Sequence, residues 1–304
     1  MLLRGDLEHG WREYEWRWKL KELRAPNFRQ PQWCGEPLAG KTIYLYAEQG
    51  LGDTIQFVRY APMVKSLGAN VIVACREPIL KLLASCPGID HLVSSDVEMP
   101  AFDYHAPLMS LPLLLKTELS TIPAPVPYLF ADEELVVAWR KRLGDTREFR
   151  IAINWCGETG KPDSLVRAIP LSLFASLASI PRVRLISIHK GSGQQELEAA
   201  RNQFQIMDLG DFDSERGPFM DTAAIMKNVD LVVTSDTSTA HLAGALGVPV
   251  WTILPFAADW RWLLNREDSP WYPTMRLFRQ TSRGDWAGVF ERIRTALSEL
   301  LTAR

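Results

Sequence analysis

From Lys41 onward, short runs rich in β-branched and aromatic residues alternate with helical stretches, and the alternation runs twice. The first round holds "TIYLYA" (42–47), "NVIVAC" (70–75), "HLVSS" (91–95) and "FDYHA" (102–106), with helices notably over 53–67 and 77–85. A proline-rich passage, "TIPAPVPYLF" (121–130), and a polar helix at 132–143 then break the order. The rhythm restarts with "RIAINW" (150–155), "VRLISI" (183–188), "QIMDL" (205–209), "DLVVTS" (230–235) and "VWTIL" (250–254), and a last helix covers about 285–301. Alternating strand and helix is the pattern of a parallel sheet with helices on both faces. Two rounds predict an α/β chain of two Rossmann-like, doubly wound domains, 31–144 and 145–304, joined near "GDTREF". The last helix is placed where it can pack back on the first domain.

The first 30 residues differ. In "DLEHGWREYEWRWKLKEL", Leu7, Trp11, Tyr14 and Trp18 recur at helical spacing and form one apolar stripe, with Asp6 as the N-cap. Such a short helix is marginal alone, so the stripe needs a partner. The stretch "APNFRQPQWCGEPLAG" that follows reads as a linker.

Composition excludes several classes. The chain has 304 residues and a net charge of −2, so no basic excess predicts nucleic acid as a partner. Its longest apolar runs, such as "LMSLPLLL" (108–115), fall far short of the roughly 20 residues that span a bilayer. The N-terminus lacks the apolar core and cleavage site of a secretory signal, which makes the cytoplasm the expected location. Cys34, Cys75, Cys86 and Cys156 are scattered with no C-x-x-C pair, so neither a zinc site nor a disulfide framework is expected.

Two facing parallel sheets leave a cleft at the carboxyl ends of their strands, where ligands bind. "DLVVTS" runs into Asp236, Thr237, Ser238 and Thr239, and then into the small-residue helix "AHLAGALG". The first amides of that helix have no partner within it and carry positive dipole character. With the Thr237, Ser238 and Thr239 hydroxyls they form a cradle for a diphosphate. The competing reading is a plain helix cap ended by Gly247 before Pro249. His241, about one turn in, either reaches a phosphate or ribose or packs. The matching loop of the first half is "AEQGLGDTIQF" (47–57). Gln49, Gly50 and Gly52 lie in it, and the glycines let the backbone approach a ligand closely. Asp53 at the helix start is either a base aimed at an acceptor hydroxyl or an N-cap. The third glycine of a dinucleotide fingerprint is missing. Lys161 and Arg167, on the polar loop 156–170, can neutralise a diphosphate or merely be solvated. Lys190 and Glu196 follow another strand and can face the same cleft, Glu196 accepting from ribose hydroxyls. The aromatics of "PFAADWRWLL" (255–264) and "SPWYP" (269–273) suit sugar faces but more often mark packing. "DFD" (211–213) is too short a motif to carry a metal site.

"GLGDTIQFVRYAP", "RAIPL", the Gln-Gln-Glu after "HKG" and "SDTSTAHLAGALGVPVW" together resemble glycosyltransferase family 9, the heptosyltransferase family of GT-B fold. "GWREYEWRW", "AEQGLGDTIQF" and "DWRWLLNREDSPWYP" resemble its members that carry such a domain behind tetratricopeptide repeats. The resemblance implies an inverting, metal-independent transferase with a nucleotide-sugar donor and no cofactor. The acceptor would be a glycan, lipid or protein. The first domain would face the acceptor and the second the donor. Asp53 would be the general base, Arg167 would grip the donor phosphate and Glu196 the ribose. Asp236, Thr237, Ser238 and His241 would line the diphosphate site. Residues 1–30 resemble the end of a repeat array and would offer a protein contact. Three departures stand out: Ser238 where the family often has glycine, Arg167 where it has lysine, and "LPFAADW" where it has a "GPTDP"-like loop.

Overall fold

A computed structural model describes residues 1–20, 23, 26–157, 166–191 and 193–303. Among the described residues, ten strands form two wholly parallel sheets. The first holds β1 (Thr42–Tyr46), β2 (Asn70–Cys75), β3 (His91–Ser94) and β4 (Tyr104–Pro107) in the order β3-β2-β1-β4. The second holds β5 (Phe149–Asn154), β6 (Val183–Ser187), β7 (Met207–Asp208), β8 (Leu231–Ser235), β9 (Val250–Leu254) and β10 (Met275–Arg279) in the order β10-β9-β8-β5-β6-β7. Every residue of β8 and β9 is buried, as their unbroken apolar runs require of strands covered on both faces. The strand order reverses at β1/β4 in the first sheet and at β5/β8 in the second. These switch points open a crevice at the carboxyl ends of the strands.

Seven helices matter for the site: α1 (Leu7–Tyr14), α2 (Leu51–Phe57), α3 (Glu133–Leu143), α4 (Gln194–Arg201), α5 (Met220–Met226), α6 (Ser238–Ala245) and α7 (Trp286–Thr302). The helix expected over 53–67 is α2, a 3₁₀ turn at Val58–Tyr60, and a second helix at Ala61–Ser66. Pro62 opens that last piece at its first turn, where a missing N–H costs nothing. β10 is absent from the sequence reading. Its "MRLFR" is interrupted by two arginines at the edge of the sheet, a weaker signal than a fully buried run.

Two helices pack differently from expectation. α3 follows the first sheet in sequence but lies on α5 of the second half, where the Trp139 indole N–H donates to Asp221 Oδ1 at 2.6 Å. α7 does not reach back to the first sheet. Its apolar face, Val289, Phe290, Ile293 and Leu297, is buried against Phe174 and Phe278 of the second. One continuous core runs through both halves, joining Ile43, Leu45 and Phe57 to Val232, Leu242 and Trp271. Among the described residues, no helix is long and apolar enough to cross a membrane.

The partner that the N-terminal stripe needs lies within the chain. Trp11 is buried, its N–H donates to the Thr117 carbonyl at 3.0 Å, and its ring meets Phe57, Trp260 and Trp271 edge-on. Six residues further along, Arg17 is buried and pairs with Glu48 Oε1 at 2.9 Å and Glu15 Oε1 at 2.6 Å.

Candidate functional site

At the two switch points, α2 and α6 meet near their N-termini. A Cβ on Gly52 would stand 2.8 Å from His241 Cδ2 and 3.4 Å from Ser238 Cα, so only glycine allows the helices this close. The small residues of α6 serve the same end. Gly244 lies under the Tyr272 ring, which a Cβ would meet at 2.3 Å.

On the α6 side, Thr237, Ser238 and Thr239 are half-exposed at the helix start, and among the described residues no side chain caps the helix. The Ala240 N–H turns back to the Thr237 carbonyl at 3.0 Å, and the Ser238 and Thr239 amides before it suit an anion. Asn154, at the end of β5, donates from its amide to the Thr237 and Thr239 hydroxyls at 3.2 Å each. Its carboxamide oxygen accepts from His189 Nδ1 at 2.8 Å, and the His189 ring stacks on Trp155. A buried polar network thus fixes both threonines from below. Asn154 and His189 were not singled out in the sequence. Their signal was position, since each stands where a buried strand gives way to a loop.

Asp236 is buried, and among the described residues its Oδ2 makes no hydrogen bond of ordinary geometry. Burial, reinforced by the nearby Asp259 charge, pushes its carboxyl up to about 6. Arg167 reaches it from the adjoining loop and donates to its main-chain carbonyl at 3.0 Å. His241 is buried rather than aimed at open space. It shares a 2.9 Å hydrogen bond with the Tyr272 hydroxyl and stacks on Trp262. Burial, and then the charges of Arg261, Arg59 and Arg167, hold its imidazole well below its ordinary range and therefore neutral.

On the α2 side, Asp53 occupies the third helical position and stays 20% exposed. Its Oδ2 accepts from the Gly50 N–H at 2.7 Å, as the third residue of a capping box does. Its Oδ1 pairs with Arg261 from the second half. Gln49 donates to the Tyr14 hydroxyl at 3.1 Å, so the N-terminal segment holds this loop from the other side. Gly50, not Asp53, is the N-cap of α2; Asp53 closes the first turn from the third position and leaves a partly exposed carboxylate at the crevice.

The remaining candidates lie further out. Lys190 turns to Asp211 and the Phe212 carbonyl. Glu196 is exposed in the first turn of α4, behind Gly193, which covers Trp155 and His189. Lys161 lies outside the described residues. Arg261 is the largest omission of the sequence reading. Its side chain is 7% exposed, and it joins Asp53, Asp259 (2.8 Å) and Gln56 Oε1 (2.7 Å) while stacking on Trp260.

No protein-family model matches the chain. In sequence it is similar to Protein FlbA of Caulobacter vibrioides, 26% identical over 327 residues, covering 98% of this chain and 54% of FlbA. The chain thus spans about half the length of that curated relative. In structure it is similar to the glycosyl transferase family 9 protein of Veillonella parvula, with a TM-score of 0.68 at 12% identity, covering 90% of this chain and 100% of that one. It is also similar to the E. coli ADP-heptose LPS heptosyltransferase II, with a TM-score of 0.57 at 11% identity, covering 86% and 99%. The shared architecture is the GT-B fold, two Rossmann-like parallel sheets facing a crevice.

Proposed function

We propose that this chain is a glycosyltransferase that moves a sugar from a nucleotide-sugar donor to an acceptor hydroxyl. The observation that carries the reading is the juxtaposition at the crevice. A partly exposed carboxylate, Asp53, stands across from the uncapped N-terminus of α6. The likeness in fold to a heptosyltransferase named for ADP-heptose supports it.

In this reading the donor diphosphate lies on the first amides of α6, beside the Thr237 to Thr239 hydroxyls. Arg167 adds charge at the same end. Negative charge builds on the diphosphate as the glycosidic bond breaks, and a preset donor at such a place contributes about 3 kcal/mol. Asp53 takes the proton of the acceptor hydroxyl as its oxygen attacks the anomeric carbon from the opposite face, which inverts the configuration. General-base help of this kind is worth roughly 10²–10⁴-fold. Each oxygen of Asp53 accepts one bond in the resting structure and keeps a further lone pair for that proton. The chemistry assigned to these residues needs no metal or cofactor. The acceptor is a glycan, lipid or protein, reached from the side of the first sheet.

Calorimetric titration with ADP, UDP and GDP tests the donor half. One nucleoside diphosphate should bind, with the same affinity in the presence of EDTA. Absence of binding to all three would overturn the reading. A second reading, a nucleotide- or protein-binding module without turnover, is favoured by one observation: Asp53 is already paired with Arg261. Binding without sugar transfer would select it.

A further inference from the structure

Arg261 joins the two halves at the candidate base. It sits in a 3₁₀ turn, Trp260–Trp262, after β9, and the Asp259 side chain caps that turn by accepting from the Arg261 N–H at 3.0 Å. Its guanidinium is held on every edge. One Nη bonds Asp53 Oδ1, the other Asp259 Oδ1, and Nε donates to Gln56 Oε1 one turn along α2 from Asp53. Its face lies 4.3 Å from the Trp260 ring centre. Burial works against the charge, and Asp53 and Asp259 outweigh it, so the guanidinium is held protonated. A planar fork fixed at three edges is a poor mobile ligand and a good ruler.

We infer that Arg261 is the positioning residue for Asp53. It fixes one carboxylate oxygen across the interface and leaves the exposed lone pairs toward the crevice. This rests on the reading of Asp53 as the base. Asp259 belongs to the same device, because it shares the guanidinium and so weakens its hold on Asp53. Among the described residues, Tyr14 of the N-terminal segment and Glu48 of its own loop also face Asp53. His241, across the helix contact, is neutral.

The test is carboxyl-carbon NMR, at one pH, of the whole chain labelled at aspartate, with the Asp53 resonance assigned by its loss in Asp53→Asn. Arg261→Gln should move the Asp53 resonance, because one oxygen loses its charged partner. Arg261→Lys should move it too, because a point charge replaces a fork. Asp259→Asn, a change at a partly exposed side chain, should also move it, because the guanidinium is then shared with no second carboxylate. It decides the matter even if Arg261→Gln fails to fold. An Asp53 resonance unmoved by both Arg261→Gln and Asp259→Asn overturns the inference, and so does one unmoved by Asp259→Asn alone when Arg261→Gln does not fold. Sugar transfer that survives Asp53→Asn removes the reading of Asp53 as base instead, so the two failures are told apart.

Discussion

Gly52 shows how much a single absent side chain can decide. In Gly52→Ala the new methyl would press on the His241 ring, whose place is set by Tyr272 and Trp262. The expected cost is about 1–3 kcal/mol, read as a lower denaturant midpoint. Gly244→Ala, against a fully buried Tyr272, should cost at least as much. Asp53→Asn differs in kind, since the amide keeps the shape. Transfer should fall by roughly 10²–10⁴-fold while nucleoside diphosphate affinity stays within about twofold, checked by turnover and calorimetry. At this scale the sequence showed Asp53 and the Asp236–His241 turn, because Gly, Asp, Ser and Thr at strand ends have local meaning. It hid Arg261, whose three polar partners come from α2 and from its own turn. A usable signal was there: an arginine between two tryptophans in an apolar run must be paired if it is buried. His241 also shows the limit, since what surrounds it comes from residues more than 20 positions away.

The N-terminal segment is the element whose role changed most between sequence and structure. Its stripe was legible, and so was its need for a partner. The partner was not, because "DWRW" and "SPWYP" come 250 residues later in the chain. Arg17 anchors the segment to Glu48, one residue before Gln49 of the candidate loop. Burial pushes the Glu48 carboxyl up to about 7 from an ordinary 4.5. The folded chain therefore holds a proton there that the unfolded chain releases, and this contribution is lost as pH rises from about 4.5 to about 7. Glu48→Gln should flatten the stability profile over that window, as read by thermal melts at pH 5 and 7. A profile as steep as in the unchanged chain would remove Glu48 as its cause. Strands β1, β2, β8 and β9 were legible almost to the residue, since continuous apolar runs have one comfortable environment. α3 and α7 were found as helices, but neither was assigned the surface it meets, and α7 was expected against the first domain, because a helix pattern marks an apolar face without naming its partner.

At the scale of the whole molecule, two sheets do not make two independent bodies. The core runs unbroken between them, and Arg59 pins the seam by donating to the Trp271 carbonyl at 2.6 Å and the Tyr128 hydroxyl at 2.8 Å. Unfolding should therefore give one calorimetric transition, and two resolved peaks would contradict the continuous core. Trp11→Ala should lower the whole transition by about 3–5 kcal/mol, since the indole serves the N-terminal segment and both halves at once.

Four of the eleven tryptophans, Trp11, Trp260, Trp262 and Trp271, crowd this same seam. Each is an indole whose emission depends on how dry its surroundings are. The protein thus carries its own optical gauge at the place where the halves meet. Any ligand that loosens or tightens the seam will change the colour of its ultraviolet emission, with no label added.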